Sequence, residues 1–443
     1  MQLIQPPGPR GVPILGSVLD VWRDPLGFFV RGARDHGDVV QFRFGHYRYV
    51  LLNDAEAVRH VLIDNAKSYQ KSRNYDGLRL VLGNGLVTSE GDFWRRQRKL
   101  AQPGFHKQRL AGFANTMAEC TEEMIAGWDT GGPVDLHAEI MALTLRIVGK
   151  TLFSTDLAGD AAAVGDAITV GIKHANDYAE SVIRMPPWLP TPNNLRFKHA
   201  VRILDGMVMR IIEERRKSGH EGDDLLGMLM SARDDEGHGM TDRQLRDEVM
   251  TLVVAGHETT ANALAWTFDL LSRHPDVDRR VYAEARAIDG VLGIGDLPRL
   301  PYTLRVVSEA MRLYPPVWVF EREAIVDDVI GGYSIPKGTV VAVSPWSLHR
   351  NPRYWENPEG FDPDRFSPEA IEARPRCAYL PFATGPRQCI GNAFAMMELQ
   401  IVLATVARSF RLSLVPGATS VVDPKVTLRP RDGLPMTRAR RLA

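Results

Sequence analysis

One cysteine on a glycine-rich segment carries the strongest chemical signal in this sequence. Cys389 lies within Pro381-Phe-Ala-Thr-Gly-Pro-Arg-Gln-Cys-Ile-Gly391, two residues after the cation Arg387. Apolar residues recur at helical spacing from 392 to 406, so Cys389 is predicted to precede a helix N-terminus. Unpaired backbone N–H groups there favour an anion and lower the pKa of a thiol. The segment therefore predicts a metal-binding thiolate, with glycines that let a flat ligand approach it.

A second chemical signal lies in the middle of a long predicted helix. Thr241-Asp-Arg-Gln244 is a capping box, and the helix that it starts is predicted to end near Arg273. Within it, Ala255-Gly-His-Glu-Thr259 places an acid and a hydroxyl after two small residues. Because unpaired polar groups are costly to bury, Glu258 and Thr259 indicate a functional role or, alternatively, a structural kink. A zinc-protease motif would need histidine at position 261, which is alanine.

The cysteine segment has the spacing of a known haem-binding motif. Phe382, Gly385, Arg387, Cys389 and Gly391 resemble the haem-ligand motif of the cytochrome P450 family at every fixed position. The resemblance implies that Cys389 is the axial ligand of a haem b iron (iron protoporphyrin IX), held by the other residues of the loop. An inert buried cysteine is the alternative.

Further motifs follow in the family's order, and the resemblance covers about residues 6 to 438. Trp94 and Arg98 share one helix face and match the family's W-x-x-x-R helix. By resemblance they bind a haem propionate, for which a planar, permanently charged guanidinium is suited. Arg322 lies where family members hold a second propionate-binding arginine.

Three charged residues match the family's structural triad. Glu309 and Arg312 are three residues apart on a predicted helix, and Arg365 is their expected partner. By resemblance this triad fixes the loop that carries the cysteine. His349 is interpreted as a surface loop residue rather than a ligand.

The resemblance implies a mainly α fold with smaller β-sheets, in which haem lies between the long central helix and the cysteine-loop helix. Local patterns add a helix from Pro25 to about Gly37, a hairpin over residues 42–51 and a strand over 340–343. Residues 70–90 have weak periodicity, and the resemblance implies that they form a loop over the distal side of the haem.

Composition and length favour one soluble domain. The chain has 443 residues without a linker or repeat, so we expect a single haem domain over 1–443. With 54 basic and 54 acidic residues, nucleic acid is not an expected partner. No secretory signal or apolar run of about 18 residues occurs, so no membrane anchor is expected. The three cysteines lack CxxC spacing, and a reducing, cytoplasmic location is the simplest interpretation.

The expected activity is that of a haem-thiolate monooxygenase, which inserts one oxygen atom of O2 into a hydrophobic aliphatic substrate such as a fatty acid, a terpenoid or a steroid-like molecule. By resemblance, Ala255 makes room for oxygen, Thr259 hydrogen-bonds it and Glu258 relays protons. A peroxide-using peroxygenase or lyase is one alternative, and a haem-binding sensor is another. Nine residues are candidate substrate contacts: Leu78, Val87, Trp188, Met250, Val254, Val317, Trp318, Val319 and Leu434.

The electron supply is expected to be a separate protein. No GxGxxG motif follows a predicted strand, so neither a flavin nor a nicotinamide domain is indicated, and no fused reductase is expected. A ferredoxin or flavodoxin with its reductase is the predicted donor. Part of the basic stretch 95–99 is a candidate docking surface for it.

Overall fold

The computed structural model describes residues 4–128, 132–181, 186–218 and 224–441, and most of them are helical. The helices are α1 Val18–Arg23, α2 Pro25–His36, α3 Ala55–Arg59, α4 Tyr75–Leu82, α5 Gly91–Ala101, α6 Lys107–Ala126, α7 Leu136–Leu152, α8 Ala161–Glu180, α9 Pro192–Ser218, α10 Leu225–Ser231, α11 Asp242–Arg273, α12 Pro275–Arg286, α13 Pro301–Leu313, α14 Pro345–Leu348, α15 Pro368–Ala373 and α16 Asn392–Ser409. The strands are β1 Val39–Phe44, β2 Tyr47–Leu52, β3 Tyr69–Lys71, β4 Val134–Asp135, β5 Phe320–Ala324, β6 Asp328–Ile330, β7 Tyr333–Ile335, β8 Val340–Val343, β9 Phe410–Leu414, β10 Val422–Pro424, β11 Leu428–Pro430 and β12 Pro435–Arg440.

The central helix α11 is the longest element and organises the helical part of the fold. Its capping box is present as predicted, because Thr241 Oγ1 accepts from the Gln244 N–H at 3.3 Å and Gln244 Oε1 accepts from the Thr241 N–H at 2.7 Å. Its 32 residues span about 48 Å. It packs against α7, α9, α13 and α16, and most of its side chains are buried.

The largest sheet brings together strands that are distant in the chain, in the order β1-β2-β8-β5-β3. The hairpin predicted over residues 42–51 is β1 with β2, and the strand predicted over 340–343 is β8. Antiparallel pairing of β3 with β5 sets Lys71 opposite Arg322. Three smaller sheets pair β10 with β11, β6 with β7, and β12 with both β4 and β9.

The prediction of a loop over residues 70–90 was wrong, since this segment contains the end of β3 and the helix α4. Packing explains the helix, because α4 lies directly against α8. A Cβ atom on Gly77 would lie 2.4 Å from the carbonyl oxygen of Ala175, so the two helices approach closely only with glycine there. This tertiary contact has no counterpart in the local sequence pattern.

A buried ion pair ties α13 to the chain that leads into the cysteine loop. The Arg312 guanidinium donates to both carboxylate oxygens of Glu309 at 2.7 and 2.8 Å, and both side chains are fully buried. Arg365 Nε lies 3.5 Å from Glu309 Oε1, which completes the predicted triad. Arg312 also donates to three backbone carbonyls, those of His349, Pro358 and Gly360.

The interpretation of His349 as a surface residue was wrong, because its side chain is fully buried. Its Nδ1 lies 3.2 Å from the Arg312 carbonyl oxygen, and its Nε2 accepts from the Leu380 N–H at 2.8 Å. Burial holds the pKa of His349 well below its ordinary value, so the ring is neutral and can accept that bond. His349 thereby joins the triad to the residue that precedes the cysteine loop.

Replacing Arg312 by lysine should destabilise the fold strongly. Lysine keeps the charge but loses the planar fork, so several buried acceptors lose their donor and the free energy of unfolding should fall by about 3–5 kcal/mol. Chemical denaturation of R312K measures this. Arg59→Lys, in an exposed pair with Glu56, is the matched control and should unfold as the wild type does. If R312K and R59K had the same free energy of unfolding, the stabilising role of the Arg312 hydrogen bonds would be contradicted.

Candidate active site

The cysteine loop has the geometry that its motif predicts. Cys389 donates its backbone N–H to the Phe382 carbonyl at 3.0 Å, and Gly391 immediately precedes α16. Gly385 has φ of +73°, and a Cβ atom there would lie 2.0 Å from the Leu62 carbonyl oxygen. Only glycine therefore fits this turn, which presents the sulfur at the start of the helix.

The pKa of the Cys389 thiol differs from expectation. Burial raises it, while the Gly391 N–H and the charge of Arg98 lower it. The helix start therefore lowers this pKa as predicted, but desolvation outweighs that contribution and the net shift of the pKa is upward. A thiolate here needs a cation at the sulfur, and an iron ion has the required charge and affinity.

Two arginines lie beside the cysteine loop. Arg98 donates to the Gln388 carbonyl at 2.8 Å. The Arg387 guanidinium lies 3.7 Å from the centre of the Trp94 ring and pairs with Glu90. Burial lowers the pKa of Arg387 to about 10. The structure thus brings both predicted propionate ligands of α5, Trp94 and Arg98, to the motif that carries the cysteine.

Lys71 joins this cluster, and the sequence analysis missed it. Its ammonium donates to the Val87 carbonyl, and the β3–β5 pairing places it opposite Arg322. Burial, followed by the charges of Arg322 and Arg387, holds the pKa of Lys71 well below its ordinary value. A lone lysine in a segment without periodicity gave no signal, since the strand pairing that positions it joins position 71 to position 322.

The cluster contains more positive than negative charge. It is formed by Lys71, Arg98, Arg322 and Arg387, and within the described parts of the chain Glu90 is the one carboxylate that forms an ion pair with any of them. Unpaired buried charge is costly, so these residues suit a ligand that brings carboxylates of its own. Haem carries two propionates, and the residues present therefore fit it.

A cavity of about 550 Å³ lies next to this cluster, because Val87, after α4, lines the cavity and its carbonyl accepts from Lys71. Predicted substrate contacts that line it are Leu78, Val87, Val254, Val317, Trp318 and Val319. The other three predicted contacts lie elsewhere. Met250 and Leu434 are fully buried in the helical core, and Trp188 is 73% exposed in a surface turn. Helical periodicity and proline-rich sequence identify a buried face or a turn, but not the cavity that it borders.

Glu258 and Thr259 reach the cavity wall together with Ala255. Thr259 Oγ1 donates to the Ala255 carbonyl at 2.6 Å. Glu258 is buried, and its Oε1 accepts from Thr427 Oγ1 at 2.5 Å. Burial raises the pKa of Glu258. Among the described residues, no group lies within hydrogen-bond distance of Glu258 Oε2.

The sequence model of the cytochrome P450 family matches residues 6–433. This chain is a cytochrome P450. Cyclooctatin synthase of Streptomyces melanosporofaciens is 39% identical to it over 95% of this chain and 92% of that protein. The cyclooctat-9-en-7-ol 5-monooxygenase of the same organism is 38% identical over 93% and 90% of the two chains. Pentalenene oxygenase of Streptomyces avermitilis is 36% identical over 93% of this chain and 92% of that protein.

A solved P450 structure has the same fold. The retinoic acid bound cyanobacterial CYP120A1 superimposes with a TM-score of 0.89 at 26% identity, over 99% of this chain and 100% of that one. The predicted fold class is therefore confirmed, and the P450 is a monooxygenase with a haem-iron cofactor. Of the helices in the described ranges, none has the length and apolar character needed to cross a membrane.

Replacing Lys71 by methionine should weaken haem retention. Methionine keeps the length of the side chain but removes a charge that is placed to bind a carboxylate, so haem transfer to apomyoglobin should be about tenfold faster or more. Lys67→Met is the control, because Lys67 is exposed four residues earlier and should not affect transfer. Equal transfer rates for K71M and K67M would exclude Lys71 from haem binding.

Proposed function

We propose that Cys389 is the axial ligand of haem b in this P450, and that the cationic cluster holds the haem propionates. The observation that supports this best is the excess of positive charge, on largely buried side chains, beside the Cys389 thiol. Bound haem supplies the activation of O2 and the transfer of one oxygen atom to a carbon of the substrate. The residues assigned to the propionates are Lys71, Trp94, Arg98, Arg322 and Arg387, and Phe382, Ala255 and Gly391 are assigned to the haem faces.

The acid and the hydroxyl of α11 control protons in this proposal. Thr259 Oγ1 can rotate from the Ala255 carbonyl toward the cavity, because both groups lie at the cavity wall. Glu258 presents Oε2 as a buried oxygen that can hold or release a proton. Its raised pKa moves it toward neutral pH, which suits an acid that must change protonation state during turnover.

The proposed substrate is a cyclic terpenoid rather than a fatty acid. The cavity wall is mostly apolar, and the one lysine or arginine among its described lining residues is Lys425. Lys425 Nζ lies 3.6 Å from Asp423 Oδ1, so its charge already has a partner and a fatty-acid carboxylate would compete for it. The names of the three Streptomyces relatives refer to cyclic hydrocarbon skeletons, which supports the same choice.

A separate ferredoxin or flavodoxin with its reductase is the proposed electron donor. Arg95 and Lys99 are 65% and 68% exposed on α5, the helix that carries Arg98. They pair with the exposed carboxylates of Asp92 and Asp235, with which an acidic partner would compete. Cys120, Cys377 and Cys389 are unpaired, which agrees with the proposed cytoplasmic location.

Substrate class can be read from the haem spectrum. Titration with a cyclic sesquiterpene or diterpene hydrocarbon should shift the ferric Soret band toward high spin, because an apolar ligand in the cavity displaces water from the iron. A linear fatty acid of the same carbon number is the control and should bind at least tenfold more weakly. Tighter binding of the fatty acid would contradict the substrate proposal.

Replacing Thr259 by alanine should divert reducing equivalents from product to hydrogen peroxide. Loss of the hydroxyl removes a proton donor, and a single positioned acid–base group contributes about 100-fold or more to the rate of proton transfer. Product and peroxide formed per NADPH consumed measure the effect. Thr259→Ser retains the hydroxyl and should stay close to wild type. If T259A were as well coupled as T259S, the proposed role of Thr259 would be wrong.

A further inference from the structure

Glu258 stands at the inner end of a hydrogen-bond chain that three separate elements build. Thr427, just before β11, lies 2.5 Å from Glu258 Oε1. Asn262 Nδ2 lies 3.3 Å from Thr427 Oγ1. At the outer end, His137 Nε2 in the first turn of α7 lies 2.9 Å from Asn262 Oδ1. Asn262 is fully buried, whereas His137 is partly exposed, so the chain runs from the cavity toward the protein surface.

Local geometry explains why these residues meet. Asn262 follows Glu258 by four residues, so both side chains lie on one face of α11. That face packs against β11, and the Trp266 indole N–H donates to the Leu428 carbonyl at 2.9 Å one turn further along. The contact between α11 and β11 therefore holds Thr427 between the acid and the amide.

Each link can carry its hydrogen bond in either direction. With Glu258 ionised, His137 donates to Asn262, Asn262 to Thr427, and the Thr427 hydroxyl to Glu258 Oε1. With a proton on Oε1, Glu258 donates to Thr427, Thr427 donates to the amide oxygen, and the flipped amide donates to the imidazole. Both arrangements keep all three hydrogen bonds of the chain.

We propose that His137, Asn262 and Thr427 form a reversible hydrogen-bond chain, which positions the Glu258 carboxyl and keeps its Oε1 hydrogen-bonded both with and without its proton. This inference rests on the proposed role of Glu258 in proton delivery. A buried acid that must lose and regain a proton otherwise leaves a polar atom unpaired in one of its two states, and that state would be disfavoured. The three residues are positioning residues, since none of them is assigned a contact with oxygen or substrate in this proposal.

Charged neighbours also influence the protonation of Glu258 and His137, the two ends of the hydrogen-bond chain. Arg429 on β11 favours the ionised form of Glu258, but its Nε also donates to Asp423 at 3.2 Å. Asp135 acts on His137 and favours its charged form, while burial and Arg429 oppose that charge. Lys425, on the cavity wall, is a further charged group near Thr427. The pKa of His137 lies below its ordinary value because of burial, so a neutral imidazole is available as donor or acceptor.

The test compares Thr427→Val, which keeps the shape of the side chain but removes the hydroxyl, with Thr427→Ser, which retains it. The carboxyl infrared band of Glu258 is isolated in the ferric holoenzyme by subtracting the spectrum of E258Q, and is followed against pH. Loss of a hydrogen bond to the charged form should raise the pKa of Glu258 by about one pH unit or more in T427V. T427S should titrate like the wild type. If the band does not titrate in the wild type, its frequency is the measurement, and it should move in T427V alone.

Turnover gives a second measurement. T427V should form more peroxide per NADPH than T427S, and His137→Phe, which removes the outer end, should change coupling in the same direction by a smaller factor. Thr427 also lines the cavity, so the spin-state titration is run on all three variants, and substrate affinity should be unchanged in H137F. An unshifted Glu258 band in T427V would overturn the inference. Full coupling in E258Q would instead overturn the proposed role of Glu258, while the infrared result would still report on the chain.

Discussion

Buried positive charge that the protein does not neutralise is the constraint on which the site depends. Lys71, Arg98, Arg322 and Arg387 come from four separate segments, and Glu90 is their one paired carboxylate within the described chain. Holding such a cluster beside the Cys389 thiol is unfavourable unless a ligand brings both negative charge and a metal cation. Haem provides both, so binding of the cofactor and completion of the folded core are expected to be coupled.

The rest of the fold keeps these groups in place. Arg312, paired with Glu309, donates to backbone carbonyls between residues 349 and 360 and so fixes that segment. The neutral ring of His349 accepts from the N–H of Leu380, the residue before the cysteine loop. Separately, the contact of α11 with β11 sets Glu258, Asn262 and Thr427 in one hydrogen-bonded line. The first arrangement holds the proposed iron ligand, and the second holds the proposed proton donor.

Much of this architecture could be predicted from local patterns and a family motif. The capping box of α11, the β1–β2 hairpin and the Glu309–Arg312 pair all depend on residues close in sequence, so their spacing reveals them. The pairing of β3 with β5, the helix α4 and the burial of His349 depend on contacts between distant segments. Lys71 and Thr427 were missed for that reason. Neither belongs to a local motif, and each acquires its role from the strand or helix packed against it.

The absorption spectrum of the reduced, carbon monoxide-bound protein tests the central claim most directly, because the Soret band of this complex depends on the axial ligand. Thiolate ligation by Cys389 predicts a band at the long wavelength characteristic of a cysteine-ligated haem. In Cys389→Ser that band should be lost, with the far-ultraviolet circular dichroism of the fold retained. A wild-type band at the shorter wavelength of a histidine-ligated haem, or a long-wavelength band that survives in C389S, would contradict the account.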